Sequence, residues 1–83
     1  MKIDGVLIPP KKNSKYWGIG LPILDIYTQG KSKNDALRMI EDAVFELSGI
    51  KVSANCIDGN HFFIKFNISD DFVKLYTFRN KNL

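Results

Sequence analysis

The fold of this 83-residue chain is decided by one segment, SKNDALRMIEDAVFELSG at residues 32–49. Its apolar residues recur at the three- and four-residue intervals of one helix face, and they are Ala36, Leu37, Ile40, Ala43, Val44 and Leu47. Asp35 stands three residues after Ser32, which is the spacing of a helix-capping box. Gly49 stands where a left-handed C-terminal cap is expected. The pattern predicts a helix over residues 33–48.

Three strand-like runs precede this helix. They read KIDGVLI at residues 2–8, KYWGIGL at 15–21 and ILDIYT at 23–28. A polar segment separates the first two runs and Pro22 separates the next two, so the connections are short. Because short connections join antiparallel neighbours, the order predicts an antiparallel meander.

Two further runs follow the helix, at residues 51–57 and 61–68. The sequence DGN at residues 58–60 lies between them, and a glycine there would accept the positive φ of a tight hairpin turn. Ser69 and two aspartates then open the segment 69–83. A serine N-cap with acidic residues in the first turn predicts a short C-terminal helix.

The predicted order is β-β-β-α-β-β followed by a short helix. It defines an α+β fold, in which one long helix packs on a mainly antiparallel sheet. We expect residues 1–68 to form the domain and residues 69–83 to form a short C-terminal helix and tail. Because a chain of 83 residues encloses only a modest core, we also expect a homodimer or a higher oligomer.

The composition excludes several classes of protein. Hydrophobic residues make up 45% of the chain and charged residues 25%, which is typical of a globular domain and excludes wholesale disorder. No apolar run approaches the roughly 20 residues of a membrane span. Asp4 is an acidic residue at the position where the apolar region of a secretory signal would lie, so no secretory signal is expected. A single cysteine, Cys56, fits a reducing compartment. We therefore expect a cytoplasmic protein without a membrane partner.

The formal net charge of +3 is unevenly distributed. Residues 25–50 hold five acidic and three basic residues, so an acidic middle third lies between two basic flanks. Lysines bind phosphates and exposed rings stack on bases. A nucleic-acid-binding module is therefore an alternative function for one basic and aromatic segment, Lys11, Lys12, Lys15, Tyr16 and Trp17. A solvated loop followed by core aromatic residues explains the same segment.

The chain offers little material for catalysis or metal binding. Cys56 and His61 straddle the predicted hairpin, but two ligands do not make a structural zinc site. Asp4 and Glu41, with an acid at position 70 or 71, are the residue types of a two-metal nuclease, and ordinary surface carboxylates explain them equally. We expect no metal, no cofactor and no catalytic residue, and therefore no enzyme.

One motif spans the third predicted strand and the helix. It reads P-x-L-D-I-x-T-Q-G-x-S over residues 22–32 and D-A-L-x-x-I-x-x-A over residues 35–43. Together with Tyr16 and Trp17, this motif resembles the HicB family of bacterial antitoxins. Members of that family have a degenerate, non-catalytic ribonuclease H-like domain and neutralise HicA, a small ribonuclease that cleaves mRNA. The resemblance implies a partial ribonuclease H-like fold and an antitoxin that covers the active site of a HicA-type toxin.

For the toxin-binding surface we expect the acidic helix face and nearby strand residues. Recognition depends on the local charge of a surface rather than on the net charge of the chain. The expected residues are Asp25, Glu41, Asp42, Phe45 and Glu46. Longer family members continue into a DNA-binding domain, whereas this sequence stops at Leu83, so we do not expect this chain alone to bind operator DNA.

Overall fold

The structure is a computed structural model that describes residues 2–66 and 71–80. In chain order its elements are β1 (Lys2–Ile8), β2 (Trp17–Leu21), a 3-10 turn (Pro22–Leu24), β3 (Ile26–Gly30), α1 (Lys33–Ser48), β4 (Val52–Cys56), β5 (His61–Phe66) and α2 (Asp71–Asn80). The predicted α+β class and element order are confirmed. Neither described helix combines the length and the apolar character that a membrane-crossing helix requires.

The five described strands form one sheet in the order β3-β2-β1-β5-β4. Every neighbouring pair is antiparallel, which confirms the predicted meander of the first three strands. The β4–β5 hairpin joins the sheet through β5, so β4 and β3 are the two edge strands. This order leaves β4 beside α1 with one side unpaired by any described strand.

Helix α1 begins and ends at the predicted residues. The Ser32 hydroxyl accepts a hydrogen bond from the Asp35 N–H at 3.0 Å, and the Asp35 carboxylate accepts one from the Lys31 N–H at 2.8 Å. At the other end Gly49 adopts the left-handed conformation with φ of 74° and donates its N–H to the carbonyl of Phe45. Local hydrogen bonds therefore fix both ends of the helix.

The core lies between α1 and one face of the sheet. From α1 it contains a row of residues spaced by four, Ala36, Ile40 and Val44. Leu47 was predicted to join this row, but it lies off it and is 40% exposed. The other buried residues come from the strands, the 3-10 turn and α2, and they are Ile3, Leu7, Ile19, Leu21, Leu24, Ile26, Phe62, Ile64, Phe66 and Leu75.

The predicted strand over residues 23–28 was wrong at its start. Residues Pro22–Leu24 form the 3-10 turn, and β3 begins only at Ile26. Proline lacks an N–H and its fixed φ suits the first turn of a helix, so Pro22 favours the turn over an extended strand. Asp25 ends the turn in the left-handed conformation with φ of 53°, which aspartate tolerates better than most residues.

The hairpin between β4 and β5 forms where the sequence predicts it, but for a different reason. Among the described residues the one glycine with a positive φ is Gly49, so Gly59 does not supply the expected conformation. The turn is wider than two residues, because both Ile57 and Asp58 donate their N–H to the His61 carbonyl. The predicted N-cap of the last helix, Ser69, lies outside the described residues.

Candidate functional site: the groove between α1 and β4

A groove separates α1 from the edge strand β4. It encloses about 280 Å³ and is lined by Glu41, Asp42 and Phe45 from the helix and by Lys51 and Val52 at the start of the strand. The structure therefore brings together three of the five residues predicted for toxin binding. Lys51 and Val52 were not predicted.

Glu41 belongs to the predicted acidic helix face, but its side chain is directed toward the sheet. Its carboxylate turns toward β4 and accepts a hydrogen bond from the Ala54 N–H at 2.8 Å. Ile57 donates to His61 of β5, and N–H groups alternate in direction along an antiparallel strand, so the Ala54 N–H faces away from β5. Glu41 thus satisfies a backbone donor at an otherwise open sheet edge.

Asp42, Phe45 and Glu46 form the exposed part of this surface. The Phe45 ring is 46% exposed, and both carboxylates belong to exposed residues. Residues three and four apart are neighbours on a helix surface, so Asp42 lies beside both Phe45 and Glu46. Glu46 extends this acidic and aromatic surface beyond the groove itself.

Asp25 lies apart from the groove. It immediately precedes β3, whereas the groove borders β4, and these strands form opposite edges of the sheet. The structure therefore does not bring Asp25 to the surface formed by the other four predicted residues. Its sequence position next to a strand gave no information about which edge it would occupy.

The basic and aromatic segment lies in the connection between β1 and β2. Lys11, Lys12, Lys15 and Tyr16 are exposed. Trp17 is half-buried against the core, and the Lys33 ammonium lies 5.7 Å from the centre of its ring. Trp17 therefore supports the core interpretation, whereas Tyr16 and the lysines remain accessible.

Those candidate catalytic and metal-binding residues that the structure describes do not form a cluster, and position 70 lies outside the described residues. Within the described ranges 2–66 and 71–80, no group of three or more His, Cys, Asp or Glu side chains is placed to hold a metal ion. Asp4 alternates with the inward-facing Ile3 and Gly5, so it lies on the sheet face opposite α1. Glu41 is on α1, and the two carboxylates therefore do not converge.

Cys56 and His61 are both exposed at the hairpin and both contact Asp58. The Cys56 thiol donates to the Asp58 carbonyl at 2.8 Å, and His61 Nδ1 lies 3.1 Å from Asp58 Oδ1. The hydrogen bond from His61, followed by one from the Asn60 N–H, lowers the pKa of the Asp58 carboxyl below its ordinary value. Cys56 is a free, exposed thiol.

Comparison of the chain with protein-family models, with curated proteins and with solved structures found no significant match. The resemblance to HicB antitoxins therefore rests on the motifs in residues 16–47. Sequence reasoning missed the Ala54 N–H that donates to Glu41, and it missed Lys51 as a residue that lines the groove. A backbone donor leaves no signal in the sequence, and Lys51 became relevant only once β4 was placed at the sheet edge.

Proposed function

We propose that this protein is a cytoplasmic antitoxin-like binding protein that covers the active site of a HicA-type ribonuclease. The observation that carries the proposal is the groove in which Glu41, Asp42 and Phe45 lie against the open side of β4. Together with the motifs in residues 16–47, this groove favours a role in protein binding.

The chemistry of the groove suits a basic partner. A ribonuclease that holds mRNA presents cationic groups to phosphates, and the carboxylates of Asp42 and Glu46 offer those groups an alternative counter-charge. Phe45 provides an exposed aromatic ring beside them, which is the residue class that often anchors protein interfaces. Binding here would block access of mRNA without any reaction on the part of this chain.

The test is a binding measurement with a HicA-type toxin whose ribonuclease activity has been inactivated by mutation. We expect the double variant Asp42→Lys, Glu46→Lys to weaken binding by about tenfold or more, because two attractive charges become repulsive. Phe45→Ala removes the aromatic anchor and is expected to act in the same direction. Asp4→Lys is the matched control, since it reverses an exposed acid on the sheet face opposite α1.

Two results would overturn the proposal. Unchanged affinity in the double variant would remove the groove as the contact surface. Absence of any binding by the unaltered chain, or failure to protect mRNA from the active toxin, would remove the antitoxin function.

We also propose that the protein assembles as a homodimer or a higher oligomer. Helix α1 covers only one face of the sheet, and the opposite face carries exposed apolar side chains, Ile8 and Tyr27. A second copy would remove this apolar surface from water. Light scattering coupled to gel filtration measures the mass directly, and a monomer at all concentrations would contradict the assembly.

A further inference from the structure

One end of the sheet gathers three segments that are far apart in sequence. Ile8 at the end of β1 pairs with Gly18, and Trp17 at the start of β2 pairs with Gly30 at the end of β3. The β1–β2 connection at residues 9–16 therefore emerges beside the start of α1. The Leu7 N–H bonds to the Asn60 carbonyl, so the β4–β5 turn borders the same end.

This end of the molecule is strongly basic. Within residues 9–16, 31–38 and 57–61 there are six lysine and arginine side chains against the two carboxylates of Asp35 and Asp58. Arg38 is paired with Asp35 at 2.9 Å, so the accessible positive charge comes mainly from the lysines. They are Lys11, Lys12, Lys15, Lys31 and Lys33. The net charge of +3 for the whole chain does not reveal that the lysines are concentrated at this end.

An exposed ring lies among these lysines. Tyr16 is 46% exposed. Its backbone N–H donates a hydrogen bond to the Ser14 hydroxyl at 3.2 Å, which fixes the local conformation of the connection. The connection is ordered further by a bond from the Ser14 N–H to the Lys11 carbonyl at 2.9 Å. Beside it, Lys33 lies over the ring of Trp17 and so connects this segment to α1.

We propose that this basic end binds single-stranded nucleic acid, with the lysines on successive phosphates and Tyr16 stacked on an unpaired base. Lysines combined with an exposed aromatic ring are the recurring elements of single-strand binding. A duplex keeps its bases stacked and would leave the Tyr16 ring without a partner. The site does not depend on the N-terminus of α1, where the Ser32 hydroxyl accepts from the Asp35 N–H and the Asp35 carboxylate accepts from the Lys31 N–H just before the helix. This inference goes beyond the proposed antitoxin function and uses different residues.

The test is the fluorescence anisotropy of labelled single-stranded RNA and DNA oligonucleotides of about 12 nucleotides, titrated with the full chain. At low salt we expect binding that weakens as salt rises, with a logarithmic slope of about −0.7 for each phosphate neutralised. The triple variant Lys11→Ala, Lys12→Ala, Lys15→Ala is expected to weaken binding about tenfold or more and to reduce the slope. Its matched control is Lys51→Ala, Lys65→Ala, Lys74→Ala, which removes the same charge elsewhere.

Stacking is tested separately. Tyr16→Ala is expected to weaken binding about tenfold, whereas Tyr16→Phe keeps the ring and the affinity. Binding to RNA, DNA or both single strands supports the proposal. No binding at low salt, an equal loss in the control triple variant, or tighter binding to a duplex of the same sequence would overturn it. The double variant Asp42→Lys, Glu46→Lys should bind single-stranded nucleic acid at least as tightly as the unaltered protein. Failure of the nucleic-acid proposal is therefore distinguishable from failure of the toxin-binding proposal.

Discussion

The Glu41 carboxylate accepts a hydrogen bond of 2.8 Å from the Ala54 N–H and so joins the middle of α1 to the edge strand β4. An edge strand presents unpaired backbone groups that invite pairing with another chain. Glu41 occupies one such group from within the same molecule. The contact therefore limits uncontrolled strand pairing and at the same time forms one wall of the groove proposed for toxin binding.

Replacing Glu41 should separate its structural role from its charge. In Glu41→Ala the Ala54 N–H loses its partner, and we expect the free energy of unfolding to fall by about 1 to 2 kcal/mol. In Glu41→Gln the amide oxygen still accepts the hydrogen bond, so stability should change by less than about 0.5 kcal/mol. Urea unfolding followed by circular dichroism measures both values.

Glu46→Ala is the control for this comparison, because Glu46 is exposed on the same helix. It should alter stability by less than about 0.5 kcal/mol. Equal stability of the Glu41→Ala, Glu46→Ala and unaltered proteins would mean that the Glu41–Ala54 bond contributes nothing to folding.

The helix was predictable because its determinants are local. The hydroxyl of Ser32, the carboxylate of Asp35 and the freedom of Gly49 act within one turn of the helix ends, so spacing alone specifies them. The candidate site was only partly predictable. Asp42 and Phe45 could be read as exposed, but the role of Glu41 depends on a donor 13 residues away in sequence.

The same distinction explains the errors at Asp25 and Gly59. The 3-10 turn before Asp25 is favoured by Pro22 and places Leu24 in the core, and the hydrophobic periodicity does not reveal that burial. The conformation at Gly59 depends on the length of the hairpin turn. That length is fixed by the hydrogen bonds that the N–H groups of Ile57 and Asp58 donate to the His61 carbonyl. Core packing and hairpin pairing therefore decided what the periodicity of the sequence left open.

Gly30 should tolerate no side chain. A Cβ at this position would lie 2.6 Å from the Cα of Ala36 and 2.8 Å from the carbonyl carbon of Asp35. These are backbone atoms of the first turn of α1, so the helix would have to shift. We expect Gly30→Ala to lower the free energy of unfolding by about 2 to 3 kcal/mol, measured by urea denaturation.

Gly59→Ala is the matched control for that substitution. A Cβ there meets no atom within 4 Å, and the backbone of Gly59 does not have a positive φ. Stability should stay within about 0.5 kcal/mol or rise slightly, because alanine restricts the unfolded chain more than glycine does. Similar losses at both positions would contradict the close approach of α1 to Gly30.

Acid should destabilise the protein in part through Asp35. Hydrogen bonds from the Lys31 N–H and then from the Arg38 guanidinium lower the pKa of the Asp35 carboxyl below its ordinary value of 3.8. A carboxyl with a lowered pKa in the folded state contributes its full stability above the unfolded pKa and loses it as the pH falls through the folded pKa. The loss should therefore begin near pH 5 and continue to below pH 3.8.

Urea unfolding of Asp35→Asn across this pH range checks the assignment. The variant should be less stable than the unaltered protein at neutral pH, and the difference should shrink as the pH falls below 3.8. Asp42→Asn serves as the control, because it removes an exposed carboxylate from the same helix. A constant difference between the Asp35→Asn and unaltered proteins at every pH would contradict a role for ionised Asp35.

The docking of helix α2 should depend on Leu75, the fully buried side chain among those that the structure describes at residues 71–77. Leu75 is fully buried in the common core, whereas Val73, two residues earlier, is 61% exposed. Leu75→Ala removes apolar contacts and leaves a cavity, so we expect a loss of about 2 to 5 kcal/mol in the free energy of unfolding. Val73→Ala should cost less than about 0.5 kcal/mol. Hydrogen exchange along residues 71–77 provides the second readout. Faster exchange in Leu75→Ala, but not in Val73→Ala, would show release of α2 from the core. Unchanged stability and exchange in Leu75→Ala would show that α2 does not dock there.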